Sequence, residues 1–173
     1  MLTRQISISA PIFLLIFIIQ ESVITQFRLP GGGFSLLTIF ALTWAVLSQT
    51  EAAAVIGFSA GFLMDLSQSS SGPFGQWTLI MLLAGYAISY VGYGDDNVHG
   101  NAIGTVFFVV IASFFVELAY LISGVLLGVP MPTFGRIVIT LIGMTLWVLL
   151  ISPILLPLFT YLHKLIINSR SIL

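Results

Sequence analysis

The sequence has no cysteine and very little charge. Only 6% of its 173 residues are Asp, Glu, Lys or Arg, against about 25% in an ordinary soluble domain. The absence of cysteine excludes disulfides, thiol catalysis and cysteine-ligated zinc, and it leaves the redox compartment open. Five basic and six acidic residues give a net charge of −1. A chain so sparsely and evenly charged is unsuited to attracting nucleic acid electrostatically.

Apolar residues dominate what is present. They make up 58% of the chain, and the mean hydropathy is +1.15. A soluble protein of this length could not hide so much apolar surface, because small domains bury only about 60–70% of the surface of the unfolded chain. The composition therefore predicts a single polytopic membrane domain over residues 1–173.

The apolar runs predict an all-α integral membrane protein with six transmembrane helices, since about 20 apolar residues are needed to cross a bilayer. The predicted helices cover about residues 9–28, 34–48, 52–66, 74–91, 101–127 and 137–162. The second and third are short and are separated by the polar stretch 49–51. If this hairpin is re-entrant, the count falls to five.

The few basic residues predict the orientation of the bundle. They are divided between its two sides, with Arg4, Lys164 and Arg170 on one and Arg28 and Arg136 on the other. The positive-inside rule then favours both termini in the cytoplasm, by three to two. No Ala-x-Ala-like cleavage site follows the first apolar run, so we expect an uncleaved first helix.

One face of the predicted third helix has a small residue at every fourth position and ends in a carboxylate. Its members are Ala53, Gly57, Gly61 and Asp65. Small residues at this spacing let another backbone approach closely. The face is therefore predicted either to present Asp65 to a partner or a polar pocket, or simply to pack the bundle, with Asp65 at the water interface.

A Gly- and Pro-rich turn follows this face, with the sequence Gly72-Pro73-Phe74-Gly75. The small-residue face, the acid and this turn together resemble the core of the rod-shape-determining MreD family. Gln20, late in the first helix, and the short hairpin before the motif fit the same layout. The specific likeness falls within about residues 20–75, and the second half is similar only as apolar helices. The family often has a Pro-Asp pair at the start of the second helix, where this chain has Gly33-Phe34-Ser35-Leu36.

The resemblance implies a non-enzymatic scaffold subunit of the cell-elongation (rod) complex, which controls cell shape and peptidoglycan synthesis. It also implies a location in the bacterial inner (cytoplasmic) membrane. Its partners would be an MreC-like single-span protein, an MreB-like actin homologue and peptidoglycan synthases, with no cofactor. The implied fold is similar to the substrate-binding subunits of energy-coupling-factor transporters. The expected partner-binding residues are Gly57, Gly61, Asp65, Gly72, Pro73 and Gly75.

A small-molecule (vitamin-type) or lipid-binding membrane transport subunit is the alternative. The size, the helix count and a candidate polar pocket all permit it. The pocket residues would be Glu21, Arg28, Glu117 and Arg136. Glu117, near the middle of the fifth helix, is costly to bury as a charge. It is predicted either to serve a ligand, a proton or a partner helix, or to be a protonated acid hydrogen-bonded within the bundle. Both arginines are also suited to contacting lipid phosphates.

Two weaker motifs predict neither catalysis nor a metal site. The segment from Gly57 to Gly61 reads as GxSxG, but a nucleophile elbow needs a strand-to-helix turn and a nearby histidine. The histidines, His99 and His163, fall on the inner side, away from this segment. The loop 95–99 has two acids and one histidine, which lack EF-hand spacing and are too few for zinc. We expect a solvated turn there.

Overall fold

The computed structural model describes residues 2–27, 29–67, 72–92 and 102–168. Within these residues the protein is all-helical, with six α-helices, two short 3₁₀ turns and no strand. The helices are α1 Leu2–Ser22, α2 Leu36–Val46, α3 Thr50–Asp65, α4 Gln76–Gly92, α5 Ala102–Leu126 and α6 Phe134–Asn168. The predicted all-α class and the six helices in the described part are confirmed.

The connection between α1 and α2 is longer than predicted. The first helix ends at Ser22, and the chain then forms two 3₁₀ turns, Ile24–Gln26 and Pro30–Gly32. Glycines 31–33 all have positive φ angles, between +74° and +89°, which a helix cannot accommodate. Helix α2 starts only after Ser35, whose hydroxyl accepts a hydrogen bond from the Thr38 backbone N–H at 3.2 Å. The first helix therefore ends at Ser22, earlier than the predicted boundary at about residue 28, which lies outside the described residues.

Helix α2 is the centre of the bundle. Every residue from Leu37 to Val46 is buried, as expected of a helix that is apolar on all sides. The ring of Phe40 packs against Phe13 of α1 and Phe159 of α6, each with ring centroids 5.0 Å apart, and against Trp44 at 4.7 Å. The core is thus an aromatic cluster around α2 that joins the first and last helices.

Two helices of the described part are long and apolar enough to cross a membrane by length and composition. They are Ala102–Leu126 and Phe134–His163. Helix α2 has 11 residues and is about 17 Å long, well short of the roughly 30 Å hydrocarbon core of a bilayer. The predicted helix count is thus confirmed, whereas the length criterion for a span is met by two helices.

Successive helices run in opposite directions, so alternate ends meet at each end of the bundle. The described parts of three connections lie at one end, named here the cavity end: 23–27 and 29–35, 66–67 and 72–75, and 127–133. At the opposite end, the Ser89 hydroxyl donates to the Ser48 carbonyl at 2.7 Å, and the Ser48 hydroxyl lies 3.3 Å from Nε2 of His163. These contacts join α4 and α6 to the end of α2.

Candidate functional site

The small-residue face of α3 packs directly against α4. A Cβ atom on Gly57 would lie 2.0 Å from the Met81 carbonyl oxygen, and one on Gly61 would lie 2.4 Å from the Trp77 carbonyl oxygen. From the other side, a Cβ on Gly85 would lie 2.4 Å from the carbonyl oxygen of α3 residue 53. The two backbones are therefore in contact, and α4 occupies the face that was expected to receive a partner helix. This face is not open for docking, because the next helix of the same chain covers it.

Asp65 caps the N-terminus of α4. Its carboxylate accepts hydrogen bonds from the backbone N–H groups of Gly75, Trp77 and Thr78 at 3.0, 3.1 and 2.9 Å. The Thr78 hydroxyl also donates to it, at 2.5 Å. The first N–H groups of a helix have no partner within the helix and favour a negative charge. The buried carboxylate of Asp65 thus serves this chain's own helix, whereas the sequence suggested a partner contact.

The turn before α4 is shaped for close packing against α5. A Cβ on Gly72 would lie 2.1 Å from Oε1 of Gln76 and 2.8 Å from the Tyr120 hydroxyl. Gly75 has a φ of +95°, which favours glycine. Pro73, between them, is exposed. Of the three turn residues expected to contact a partner, Gly72 is thus committed to packing inside the chain.

Gln76 and Tyr120 are structural residues that the sequence did not reveal. The side-chain amide of buried Gln76 donates to the Tyr120 carbonyl and to the Ser123 hydroxyl, both at 2.8 Å. The Tyr120 ring stacks on Trp77, with ring centroids 4.1 Å apart and planes 15° apart. These contacts connect α4 to residues of α5 that are more than 40 positions away in the sequence, so no local sequence pattern predicts them.

A cavity of about 440 Å³ opens at the cavity end, and all six helices contribute to its walls. We name it the outer cavity. Its lining residues are Phe17, Gln20, Glu21, Ile24, Thr25, Phe27, Leu29, Gly32, Gly33, Phe34, Ser35, Leu37, Met64, Ser67, Trp77, Glu117, Tyr120, Leu121, Thr140, Leu141 and Met144. The volume lies within the range of about 300–1,000 Å³ that is usual for small-molecule sites.

The outer cavity brings together two of the four residues expected to form a polar pocket. Glu21 and Glu117 both line it, although they are far apart in the sequence. Glu21 accepts a hydrogen bond of 2.6 Å from the Ser67 hydroxyl. Arg136 is exposed and is not among the lining residues. The other residues at the start of α6, 134 and 135, are exposed as well. Arg28 lies outside the described residues.

Glu117 stands between the outer cavity and a smaller one. The smaller cavity, of about 10 Å³, is also lined by Ser113, Ser35 and Thr38, and this volume is about that needed for one water. The buried Ser113 hydroxyl has no hydrogen-bond partner. In the described part of the chain, Glu117 also has neither a hydrogen bond nor an ion pair.

The two weaker motifs fall in different surroundings. Ser59, in the GxSxG segment, lies within α3 and donates its hydroxyl hydrogen to the Val55 carbonyl at 2.8 Å. This is a common contact of helical serine, and the segment lacks the strand-to-helix turn of a nucleophile elbow. Over the described ranges, no group of three His, Cys, Asp or Glu residues could hold a metal ion. The loop 95–99 lies outside the described residues.

A second concave surface runs between α4 and α5 on the outside of the bundle. This α4–α5 groove has a volume of about 510 Å³, and its lining is apolar throughout. The lining residues are Ile80, Leu83, Ala84, Ala87, Ile88, Val91, Phe108, Ile111, Ala112, Phe115, Val116 and Ala119. Four of the lining residues are alanines, two on each helix, and the others have larger apolar side chains.

Comparison of the chain with known protein families, curated proteins and solved structures finds no match.

Proposed function

We propose that the chain is a non-enzymatic membrane scaffold of the MreD type that docks the transmembrane helix of an MreC-like partner. In this role it would help to position peptidoglycan synthases and an MreB-like actin homologue during cell elongation. The proposal rests on the motif ending in Asp65 and on one structural observation, the α4–α5 groove.

The groove has the dimensions and composition that a single apolar helix requires. Its lining runs from Ile80 to Val91 on α4 and from Phe108 to Ala119 on α5, about 16 Å or three turns along each helix. Small residues allow helix backbones to approach closely in a membrane, where van der Waals packing is a main source of association energy. The four alanines of the lining, two on α4 and two on α5, would allow this approach from both helices.

The glycine face has an indirect part in this proposal. Gly57 and Gly61 hold α3 against α4, and Asp65 fixes the start of α4. Together they set the position of one wall of the groove. The residues first expected to touch the partner are thus proposed to support the surface that touches it.

The proposal includes a six-span arrangement in the inner membrane, with both termini in the cytoplasm. The short α2 is compatible with it because the connection before α2 packs against α6 partway along that helix. Gly31 approaches the backbone of Gly143, and Trp147 donates its indole N–H to the Pro30 carbonyl at 3.0 Å. Gly143 is nine residues beyond Phe134, the start of α6, or about 14 Å along the helix. Non-helical backbone is tolerated at such depth where protein or a cavity surrounds it.

Co-purification tests the docking surface. Leucine in place of Ala87 or Ala119 fills the groove, so each variant is expected to lose most of an MreC-like partner in a detergent pull-down. Ala102→Leu is the matched control, because Ala102 is also exposed but lies outside the groove, beside a separate cavity between α5 and α6. Equal partner yields from all three variants would count against the groove.

A cellular experiment tests the role itself. Depletion of the protein from a rod-shaped bacterium that encodes it is expected to make the cells round. Cells that keep their shape and their cell-wall synthesis pattern would argue against a scaffold of the elongation complex.

The outer cavity favours a second candidate, a small-molecule or lipid-binding membrane transport subunit. Such subunits need a pocket that is enclosed by the bundle, and all six helices line this one. Co-purification with a transporter ATPase and its coupling subunit, in place of an MreC-like protein, would favour this candidate.

A further inference from the structure

We propose that the outer cavity binds a ligand that carries a protonated amino group on an apolar body, and that Glu117 receives the amino group. This inference rests on the cavity that favours the second candidate function. It does not depend on partner docking at the α4–α5 groove, which lies elsewhere on the bundle.

Glu117 supplies the charge preference. Glu117 lines a cavity whose walls are mostly apolar, and its carboxyl has no protein partner in the described part of the chain. An unpaired carboxylate in apolar surroundings is costly. An ammonium group would remove this cost by a charge-assisted hydrogen bond, which is among the stronger polar contacts.

Ser113 supplies further hydrogen-bonding capacity beside that acid. It lies four residues before Glu117, which places the two on the same face of α5. Its hydroxyl is buried, with the residue 3% exposed, and has no partner. Unsatisfied buried polar groups are uncommon in folded proteins and call for an explanation. An ammonium group has three donors, so it could bond to the carboxylate and to a water held next to Ser113.

The side chains that line the outer cavity can contact both the apolar body and the cationic group of such a ligand. Phe17, Phe34, Trp77 and Tyr120 all line the cavity, and aromatic faces attract ammonium groups. A second carboxylate, that of Glu21, lies among the lining residues and is oriented by Ser67. Among the described residues, the lining includes no Lys, Arg or His.

The amino group could belong to a lipid headgroup or to a free amine in water. Both sources share the same chemistry at Glu117, so the experiment includes both. The free-amine probe is phenethylamine, with 2-phenylethanol as its matched neutral analogue. The lipid probes are phosphatidylethanolamine and phosphatidylglycerol, which differ in the presence of an amino group.

Binding is measured on the purified full-length protein in detergent, by thermal unfolding for the free probes and by native mass spectrometry for the lipids. We expect either phenethylamine to raise the unfolding temperature more than 2-phenylethanol, or phosphatidylethanolamine to be retained over phosphatidylglycerol. The first result identifies a free amine and the second a lipid headgroup. If neither amine is preferred over its neutral or anionic counterpart, the proposal is overturned without any variant.

Variants assign the preference to the site. Glu117→Gln keeps the size of the side chain and is expected to weaken amine binding by roughly tenfold to a hundredfold. Glu51→Gln is the matched control, because Glu51 is exposed at the start of α3, at the opposite end from the cavity. Should Glu117→Gln fail to fold, Glu21→Gln tests the same cavity and is expected to weaken binding less. An amine preference that survives in the charge-removing cavity variants would overturn the assignment.

Discussion

Oδ2 of Asp65 accepts hydrogen bonds from both the backbone N–H and the hydroxyl of Thr78, at 2.9 and 2.5 Å. The two residues lie on different helices, so one carboxylate joins the end of α3 to the start of α4. The connection between α3 and α4 contains several polar residues, but the carboxylate that caps α4 belongs to the last residue of α3. This relationship makes Asp65 a structural centre of the motif.

Asp65→Ala is therefore expected to destabilise the folded protein by about 1–3 kcal/mol, since buried donors at the start of α4 lose their acceptor. Asp65→Asn, which retains one oxygen acceptor, is expected to lose less. Thermal unfolding in detergent measures the effect, with Glu51→Gln as the control. An Ala variant as stable as the control would mean that water replaces the cap at no cost.

Gly61→Ala should separate α3 from α4. The added methyl group would lie 2.4 Å from the Trp77 carbonyl oxygen, so the helices must move apart, at a cost of about 1–3 kcal/mol. Gly135→Ala is the matched control, because a Cβ there meets nothing within 4 Å. The comparison of unfolding temperatures tests the packing, and equal temperatures would contradict the close backbone contact.

The Gly61→Ala variant also separates two possible roles of the glycine face, partner docking and packing within the chain. If a partner docked directly on it, Gly61→Ala would weaken partner binding while the protein alone stayed stable. Because the face packs against α4, we instead expect Gly61→Ala to lower the stability of the protein, and to reduce partner binding only as a consequence of that loss. A pull-down at a temperature where the variant remains folded distinguishes the two roles, because only direct docking predicts a loss of the partner there.

Much of the helical framework could be predicted from the sequence, because apolar runs and polar breaks are local signals. The importance of Gly57, Gly61 and Asp65 was also visible, since their spacing places them on one face. The sequence did not reveal which helix packs on that face. Small residues at this spacing favour close approach of any helix, whether it belongs to the same chain or to a partner. The end of α1 was misplaced because Val23, Ile24 and Phe27 are apolar residues beyond it, and no local signal in the sequence marks Ser22 as the end.

The candidate site follows the same division. Glu21 and Glu117 were singled out because acids are rare in this chain, and the fold places both in one cavity. Arg136 was grouped with them by its predicted side of the membrane alone, which does not fix a side-chain direction. The Gln76 contacts with α5 depend on how two helices pack, and a single sequence gives no measure of that packing.

Trp147→Phe is expected to loosen the connection between α1 and α2. The indole N–H is the donor to the Pro30 carbonyl, and phenylalanine keeps the aromatic packing against Phe34 while removing the donor. A net hydrogen bond contributes about 0.5–1.5 kcal/mol, so global unfolding should change little. Hydrogen exchange of residues 29–35 should instead become faster than in Trp44→Phe, whose aromatic contacts lie on α2 and its neighbours. Unchanged exchange there would show that the glycine packing alone holds the connection.

The absence of cysteine allows a direct test of the α4–α5 groove, because any introduced thiol is the only one in the chain. Ala87→Cys places a thiol in the groove, and Ala102→Cys places one on an exposed position outside it. With a series of single cysteines along the transmembrane helix of an MreC-like partner, mild oxidation should cross-link the Ala87 variant at positions spaced by three or four residues. That spacing is the signature of one helix face seated against another, and a disulfide forms only when the two Cα atoms are within about 7 Å. Cross-linking of the Ala102 variant with equal yield, or a yield without helical spacing, would indicate random collision and would place the partner elsewhere on the bundle.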